Sequence, residues 1–480
     1  MISEGGLLLE FAALSPSLGA ELLSFGDKSV RGFSSVDIDS HSVGEGGLFA
    51  ALSGSAHDGH SFVEAAFDKG AAAALVERQK IETYDLVRIA RSRGKTLMVV
   101  GNTLRALQDT AGIYLEQFPR LLKIAITGSS GKTTTKEIAA AIIGAEKNTV
   151  MNPGNYNSET GLPLAVCAVR SCHEVGIFEM GMNRAGEIAE LAGVLKPAIA
   201  LITNVGSAHI GILGSKRAIA LEKKNIFSQF DGKGIALIPD DSPFRDFLAE
   251  GLRGRTVFYG EKFFPDLGGI RSLGLDGTEI TWAGQRIRFA LPGKHNLANA
   301  FAAIAIAQEV PVSAQAIRQG LESVKPLFGR GEILQGRVTV IQDCYNSNPE
   351  SAAGALEFCD SLDWPGRKIY VLGEMLELGE DSRKAHEDLG RLALGSKADR
   401  VFLFGDEMRS AAEILKTGAP ASIHTCDMDE LSRALDACVR DGDLVLLKGS
   451  RGCALERLSA VLLPAVMCHG HTCRRHEGAA

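Results

Sequence analysis

An α/β fold in three domains is what this sequence predicts, and three observations predict it. Short apolar runs alternate with helical segments through most of the chain, one such run leads through a glycine loop into a helix, and the alternation restarts after about residue 326. In that last set each apolar run ends at a polar residue or a glycine, where open α/β sheets hold their ligands.

Residues 1–120 make the first domain, with Gly-rich turns such as GEGG (44–47) and the stretch FVEAAFDKGAAAALVE (62–77), which predicts a helix leading into a strand. Residues 121–325 make the second. Its runs KIAIT (123–127), VGIFEM (175–180), AIALITNV (198–205) and GIALIP (234–239) read as buried parallel strands. Residues 326–480 make the third, a Rossmann-like domain with VTVIQD (338–343), KIYVLG (368–373), RVFLFG (400–405) and LVLLKG (444–449) as its strands.

Composition narrows the class. The chain has 480 residues, 45% hydrophobic and 23% charged, enough to build several apolar cores. Its formal net charge of -7, from 51 Lys+Arg against 58 Asp+Glu, offers no basic field to a phosphate backbone, so nucleic acid is not an expected partner. The start, MISEGGLLLEFAALSPSL, has no Lys or Arg ahead of an apolar patch that Glu10 breaks, and no run reaches the roughly 20 apolar residues of a membrane span. A cytoplasmic monomer is expected. The 9 cysteines are scattered irregularly, as reduced thiols are. Cys468, His469, His471, Cys473 and His476 crowd the end and could surround a zinc ion, but without a second ligand pair at zinc-finger distance 468–480 reads sooner as a disordered tail.

The strongest local signal is LLKIAITGSSGKTTTKEIAAAIIGA (121–145), a strand, a glycine loop and a helix in succession. Gly128 and Gly131 let Ser129 and Ser130 turn their N–H groups inward, between Thr127 and a helix N-terminus that favours phosphate oxygens. Lys132 then reaches the β- and γ-phosphates, and Thr133, followed by Thr134, offers a hydroxyl to Mg²⁺. A turn that merely caps the helix accounts for Gly128 and Ser129 but not for the Lys-Thr pair. ATP or GTP binding is expected, although Ile126 stands where the general pattern has its first glycine.

Other residues have a plain reading beside the chemical one. Glu179 ends the run VGIFEM, where it can ligate a metal with Thr133 or cap the following helix RAGEIAEL. His209 follows ALITNV, and a lone histidine is more often structural. Lys223 lies in KRAIALEKKNIF, whose row of charges reads as a solvated face. Asn296 and Asn299, at the start of an apolar helix in GKHNLANAFAAIAIA, can simply cap it.

Taken together, TGSSGKTT, NYNSETGLP (155–163), EMGMNRAGEI (179–188), TNVGSAHI (203–210), PGKHNLANA (292–300), DCYNSNP (343–349), GEMLELGE (373–380) and LLKGSRG (446–452) resemble the Mur ligase family, in the family's order. With IDSHSVGEGGLFAALSG (38–54) the resemblance covers nearly the whole chain. DCYNSNP is similar to the D-x-Y-N-A-N-P of the branch that adds D-alanyl-D-alanine, not to the D-Y-A-H-x-P type of related ligases, and the D-N-P-R signature is absent.

The resemblance implies an N-terminal α/β UDP-binding domain, a central P-loop ATPase domain with a parallel sheet, and a Rossmann-like ligase domain. It implies ATP-driven joining of D-alanyl-D-alanine to UDP-N-acetylmuramoyl-tripeptide through an acyl phosphate, with two Mg²⁺ ions. By resemblance Thr133, Glu179, His209 and a carbamylated Lys223 hold the metals, Asn296 and Asn299 face the adenine, Arg330 reaches ATP and Asp343 takes the ribose hydroxyls. Asn346, Asn348, Lys448, Ser450 and Arg451 build the dipeptide pocket, while Ser40, Asn155, Asn157 and Glu159 approach the UDP-muramoyl peptide. His41, Ser158, Asn225 and Glu374 depart from the family's motifs. Two readings compete, a related ligase adding another amino acid or dipeptide to a different carboxylate and a nucleotide-binding scaffold that has lost catalysis, and whether the third residue of the peptide is lysine or diaminopimelate stays open.

Overall fold

A computed structural model describes residues 6–27, 29–54 and 57–463. The cysteine and histidine cluster of 468–476 lies outside the described residues. Among the described residues no helix is long and apolar enough to cross a membrane.

The N-terminal domain is built on a five-stranded sheet in which Glu21–Ser24 runs antiparallel to Thr96–Val100, and the remaining neighbours are parallel. The helix and strand expected in 62–77 are Val63–Asp68 and Ala73–Glu77. The helix Thr103–Glu116 starts at Asn102, whose side chain accepts from the Arg105 N–H, and carries the domain onto its neighbour. There the buried Tyr114 hydroxyl donates to the Val169 carbonyl at 2.6 Å, and the apolar side chains of both domains merge into one core.

Six parallel strands form the central sheet, in the order Gly254–Tyr259, Gly234–Pro239, Ile199–Ile202, Leu122–Thr127, Val175–Glu179, Thr149–Met151. The register sets Glu179 beside Ile126 and Ile202 beside Thr127, so the phosphate loop, Glu179 and the loop from Thr203 all leave the same edge. The helices Lys132–Gly144 and Lys294–Glu309 cover one face with a shared apolar core. That core also receives Ile280, Trp282, Ile287 and Phe289 from an antiparallel sheet of Leu267–Ser272, Thr278–Trp282 and Gln285–Phe289, which the sequence reading did not anticipate.

The C-terminal sheet has the order Glu332–Gln335, Thr339–Asp343, Leu444–Lys448, Lys368–Gly373, Arg400–Phe404, Ala421–Thr425, antiparallel at the first strand and parallel elsewhere. It is the expected second Rossmann-like sheet. Asp343 and Lys448 end adjacent strands in register, facing the central domain's loops from the other side of a cleft.

Candidate active site

The phosphate loop is held open by its neighbours. Gly131 has φ +77, and a Cβ there would stand 2.1 Å from Asn299 Oδ1, so only glycine fits the backbone and the space. At Gly128 a Cβ would stand 1.7 Å from Thr203 Oγ1. The loop's remaining polar groups are tied to the 203–206 segment: the Ser130 N–H donates to Asn204 Oδ1 at 3.0 Å, Thr203 Oγ1 donates to the Ser130 carbonyl at 2.7 Å, and the Gly206 N–H donates to Ser129 Oγ at 2.8 Å. Thr127 Oγ1 donates to the Met180 carbonyl at 2.9 Å, which joins the loop to the end of the Glu179 strand. Asn204 was missed by the sequence reading although it lies inside TNVGSAHI.

Glu179 is 1% exposed. Thr133 Oγ1 donates to its Oε2 at 2.7 Å and Asn157 Nδ2 to its Oε1 at 2.6 Å. It does not cap the next helix. Glu222 does that, accepting from the Gly186 N–H at 2.8 Å and the Ile188 N–H at 2.9 Å, and Asn225 Nδ2 donates to the same carboxylate at 3.2 Å. A buried carboxylate whose side-chain donors are a neutral hydroxyl and a neutral amide is a fit for a divalent cation. Among the described residues no group of three His, Cys, Asp or Glu side chains is gathered, so such an ion would take its other ligands from water and phosphate.

Lys132 Nζ donates to the Gly128 carbonyl at 3.0 Å. Burial lowers its pKa, the carboxylates of Glu179 and Glu377 oppose that shift, and the Arg330 guanidinium adds to it, so all four groups share one electrostatic neighbourhood. Thr134, the next threonine but one, is buried in the same helix. His209 has φ +64, and its Nδ1 lies 2.6 Å from Glu377 Oε2, close but out of line for a hydrogen bond. That leaves a buried ring nitrogen without a directed partner.

For Lys223 the plain reading fails. Its helix Lys216–Lys224 does not turn it to solvent: it is 1% exposed, on the face shared with Ile219 and Ala220. Burial first, and repulsion from Lys132 second, hold its pKa well below the ordinary lysine range, against the pull of Glu222.

Asn296 and Asn299 are also not caps. Gly293 takes the cap position, and both amides are buried, Asn296 Nδ2 donating to the Pro292 carbonyl at 2.8 Å and Asn299 Nδ2 lying 3.4 Å from Asn296 Oδ1. Beside them a small cavity between central and C-terminal domains is lined by Pro292, His295, Asp343, Phe358 and Leu446. The Arg330 guanidinium sits 4.2 Å over the Tyr345 ring.

The C-terminal motif residues divide. Lys448 is buried, with Nζ 2.7 Å from the Asn346 carbonyl and 3.1 Å from Asp343 Oδ2. Asn348 caps the helix Pro349–Ser361 in a reciprocal pair with Ser351. Ser450 Oγ accepts from the Leu376 N–H at 3.0 Å, and Arg451 pairs with Glu456. Only Asn346 and Arg451 remain exposed.

On the opposite side, Glu159 is engaged by Arg184 at 2.6 Å, Asn155 is exposed, and Ser158 Oγ accepts from the Gly161 N–H at 3.1 Å. Ser40 is buried in its own domain, and among the described contacts none joins it to the 155–159 loop. His41 is open to solvent beside Asp39, and Glu374 Oε1 accepts from the Glu407 N–H at 2.8 Å.

The central and C-terminal domains are also joined through a residue that sequence reasoning missed. Glu350, one position past DCYNSNP-Pro349, accepts from the Ser207 N–H at 3.1 Å and the Ser207 hydroxyl at 2.9 Å, and pairs with Lys216 at 2.9 Å. Burial alone would raise its pKa, yet Lys216 and Ser207 outweigh burial and hold it below the usual carboxylate range. A depressed carboxylate pKa gives a contact present above the ordinary value and lost as pH falls through the folded one. Glu350→Ala should therefore raise the KM for nucleotide by about fivefold, a modest effect for a partly exposed pair, with the melting temperature nearly unchanged. Steady-state kinetics beside thermal melts check it.

Comparison with known proteins agrees along the chain. Three family descriptions match in order: "Mur ligase family, catalytic domain" over 33–111, "Mur ligase middle domain" over 126–307 and "Mur ligase, glutamate ligase domain" over 329–451. A Treponema pallidum protein named UDP-N-acetylmuramoyl-tripeptide--D-alanyl-D-alanine ligase is 45% identical over 444 residues, 91% of this chain and 95% of that protein. A crystal structure of MurF from Acinetobacter baumannii superimposes with a TM-score of 0.83 at 28% identity, covering 95% of this chain and 98% of that one. MurF ligase from Thermotoga maritima in complex with ADP gives 0.75 at 28%, over 89% and 96%. The fold and the phosphate-loop site are those of an ATP-dependent ligase with Mur architecture. Within that class the chain belongs to the Mur ligase family, in its MurF branch.

Proposed function

We infer that this chain joins D-alanyl-D-alanine to the terminal carboxylate of UDP-N-acetylmuramoyl-tripeptide, releasing ADP and phosphate, in the synthesis of peptidoglycan precursor. One observation carries the reading. Ser129 of the phosphate loop is bonded to Gly206, and the next residue, Ser207, holds Glu350 immediately after the motif DCYNSNP, so that motif is anchored beside the nucleotide loop.

A carboxylate couples to an amine only after it carries a leaving group, and phosphorylation by ATP supplies one. Lys132 stands where charge develops on the transferring phosphoryl group. Thr133 and Glu179 would hold one Mg²⁺, His209 and Lys223 as its carbamate a second, and the ions would neutralise phosphate charge while aligning the reacting oxygens. Carbamate formation needs the neutral amine, which the lowered pKa of Lys223 supports. We assign adenosine to the seam between the central and C-terminal domains, where Asp343 lines the small cavity and the Asn296 and Asn299 amides lie on the adjoining helix, with Arg330 turned toward the phosphates. Glu350, with Gly211 packed against Gly379, keeps water from the acyl phosphate until the amine attacks. Asn346 and Arg451, at the mouth of the C-terminal loops, are the side chains we assign to the zwitterionic dipeptide, with Asn348, Lys448 and Ser450 shaping the pocket. Asn155, Asn157 and Glu159 take the muramoyl peptide and Ser40 belongs to the uridine side. The reading includes a cytoplasmic monomer, with domains divided near residues 120 and 325.

The test is ADP release with both UDP-muramoyl tripeptides, lysine and diaminopimelate, against a panel of amines. D-Alanyl-D-alanine should give the highest kcat/KM. A single amino acid or another dipeptide outrunning it would move the chain to a different acceptor within the family.

A further inference from the structure

We infer that Lys136 and Asn152 are positioning residues for the Glu179 carboxylate, and that they tie it to the loop carrying Asn155 and Asn157. This rests on the reading of Glu179 as a metal ligand.

The need for them comes from the sheet. The strand Val175–Glu179 is paired along its whole length on one side, ending at Glu179 beside Ile126. On its other side the edge strand Thr149–Met151 stops at the Ile177 pairing, so the Glu179 peptide has no strand partner there. A side chain takes over. Asn152, 0% exposed, accepts from the Glu179 N–H at 2.9 Å through Oδ1 and donates to the Glu179 carbonyl at 3.1 Å through Nδ2. The same amide nitrogen donates to the Tyr156 carbonyl at 2.8 Å.

Asn152 is itself fixed by a lysine. Lys136 lies one turn beyond Thr133 on the phosphate-loop helix, is 0% exposed, and its Nζ donates to the Asn152 carbonyl at 2.6 Å with Glu137 Oε1 3.1 Å away. An apolar side chain could fill that space without burying a charge, so a cation kept there points to a geometric demand. The helix that presents Thr133 and Lys132 thus also sets Asn152, and Asn152 sets the backbone of Glu179.

The loop closes the circuit at the carboxylate. Asn157 reaches Glu179 Oε1 at 2.6 Å and its carbonyl accepts from the Gly181 N–H at 2.8 Å. Glu179 is therefore held at its N–H, its carbonyl and its carboxylate by one segment, 152–157. A tripeptide carboxylate settling on that segment should tighten the metal site, and loss of the Asn152 amide should break the link.

Mn²⁺ binding followed by electron paramagnetic resonance, with ADP present and with or without the UDP-muramoyl tripeptide, reads this without turnover. In the parent, the tripeptide nucleotide should strengthen Mn²⁺ binding. Asn152→Ala and Lys136→Met should each weaken it by about 10-fold, as outer-sphere changes do, and abolish the response to tripeptide. Metal-free ADP binding should stay within twofold of the parent. Equal Mn²⁺ affinity in parent and variants overturns the inference. So does a parallel loss of ADP and Mn²⁺ binding, or variants already unfolded at the assay temperature, since either marks a purely structural role. A parent that binds no Mn²⁺ overturns the metal reading of Glu179 and removes the ground for both.

Discussion

Lys132→Ala should abolish ADP release, with kcat lower by about 10³-fold, while the protein melts no lower than the parent. The rate effect follows from position. Lys132 opens the phosphate-loop helix, its ammonium lies over the loop at the Gly128 carbonyl, and its electrostatic neighbours include Glu179 and Glu377. No other lysine or arginine of the loop replaces it, since the residues on either side are Gly131 and Thr133. The stability effect follows from the sign of the pKa shift. A lysine whose pKa is lowered on folding binds its proton less readily in the folded than in the unfolded chain, so at neutral pH its charge works against folding. Removing it relieves that penalty. ADP release as fast as the parent's would favour the catalytically silent scaffold instead.

What the sequence made legible follows the range of the interactions. Thr133 and Glu179 were readable because each sits at a strand end or the first turn after a loop, and parallel strands bring such ends together without further information. The plain reading of Lys223 as part of a solvated face fails because the charges around it do not share its direction. Its inward direction was available in the i+3 and i+4 spacing from Ala220 and Ile219. Asn296 and Asn299 were candidates for caps, but the preceding Gly293 takes that place and the amides turn to the core. Asn348 shows the reverse, a pocket candidate whose side chain is used by its own helix. The antiparallel sheet also had a signal, in the alternation of TEITW and QRIRF either side of an Ala-Gly turn. Asn152, Lys136 and Glu350 had none, since each acts on a residue 16 to 143 positions away. Contacts at such separations are set by how the sheets pack, and no local pattern encodes them.

Lys223→Met should separate stability from activity. The unmodified amine is fully buried and repelled by Lys132, so its folded pKa lies well below the unfolded value. Between those two values the unfolded chain holds a proton that the folded one releases, and stability falls as pH drops through that window. Methionine keeps the volume and removes the penalty, so the variant should melt about 2 °C or more above the CO₂-stripped parent. Its ADP release should fall by about 10²-fold, because methionine can neither form a carbamate nor ligate a metal. Bicarbonate should restore the stripped parent and leave the variant unchanged. The neighbouring departure from the family does not stand in the way, since Asn225 turns to the Glu222 carboxylate that caps the helix Glu187–Leu195 and makes no hydrogen bond to Lys223. A stripped parent that keeps full activity would show that the second ion is held without Lys223, leaving His209 and the phosphates as its ligands.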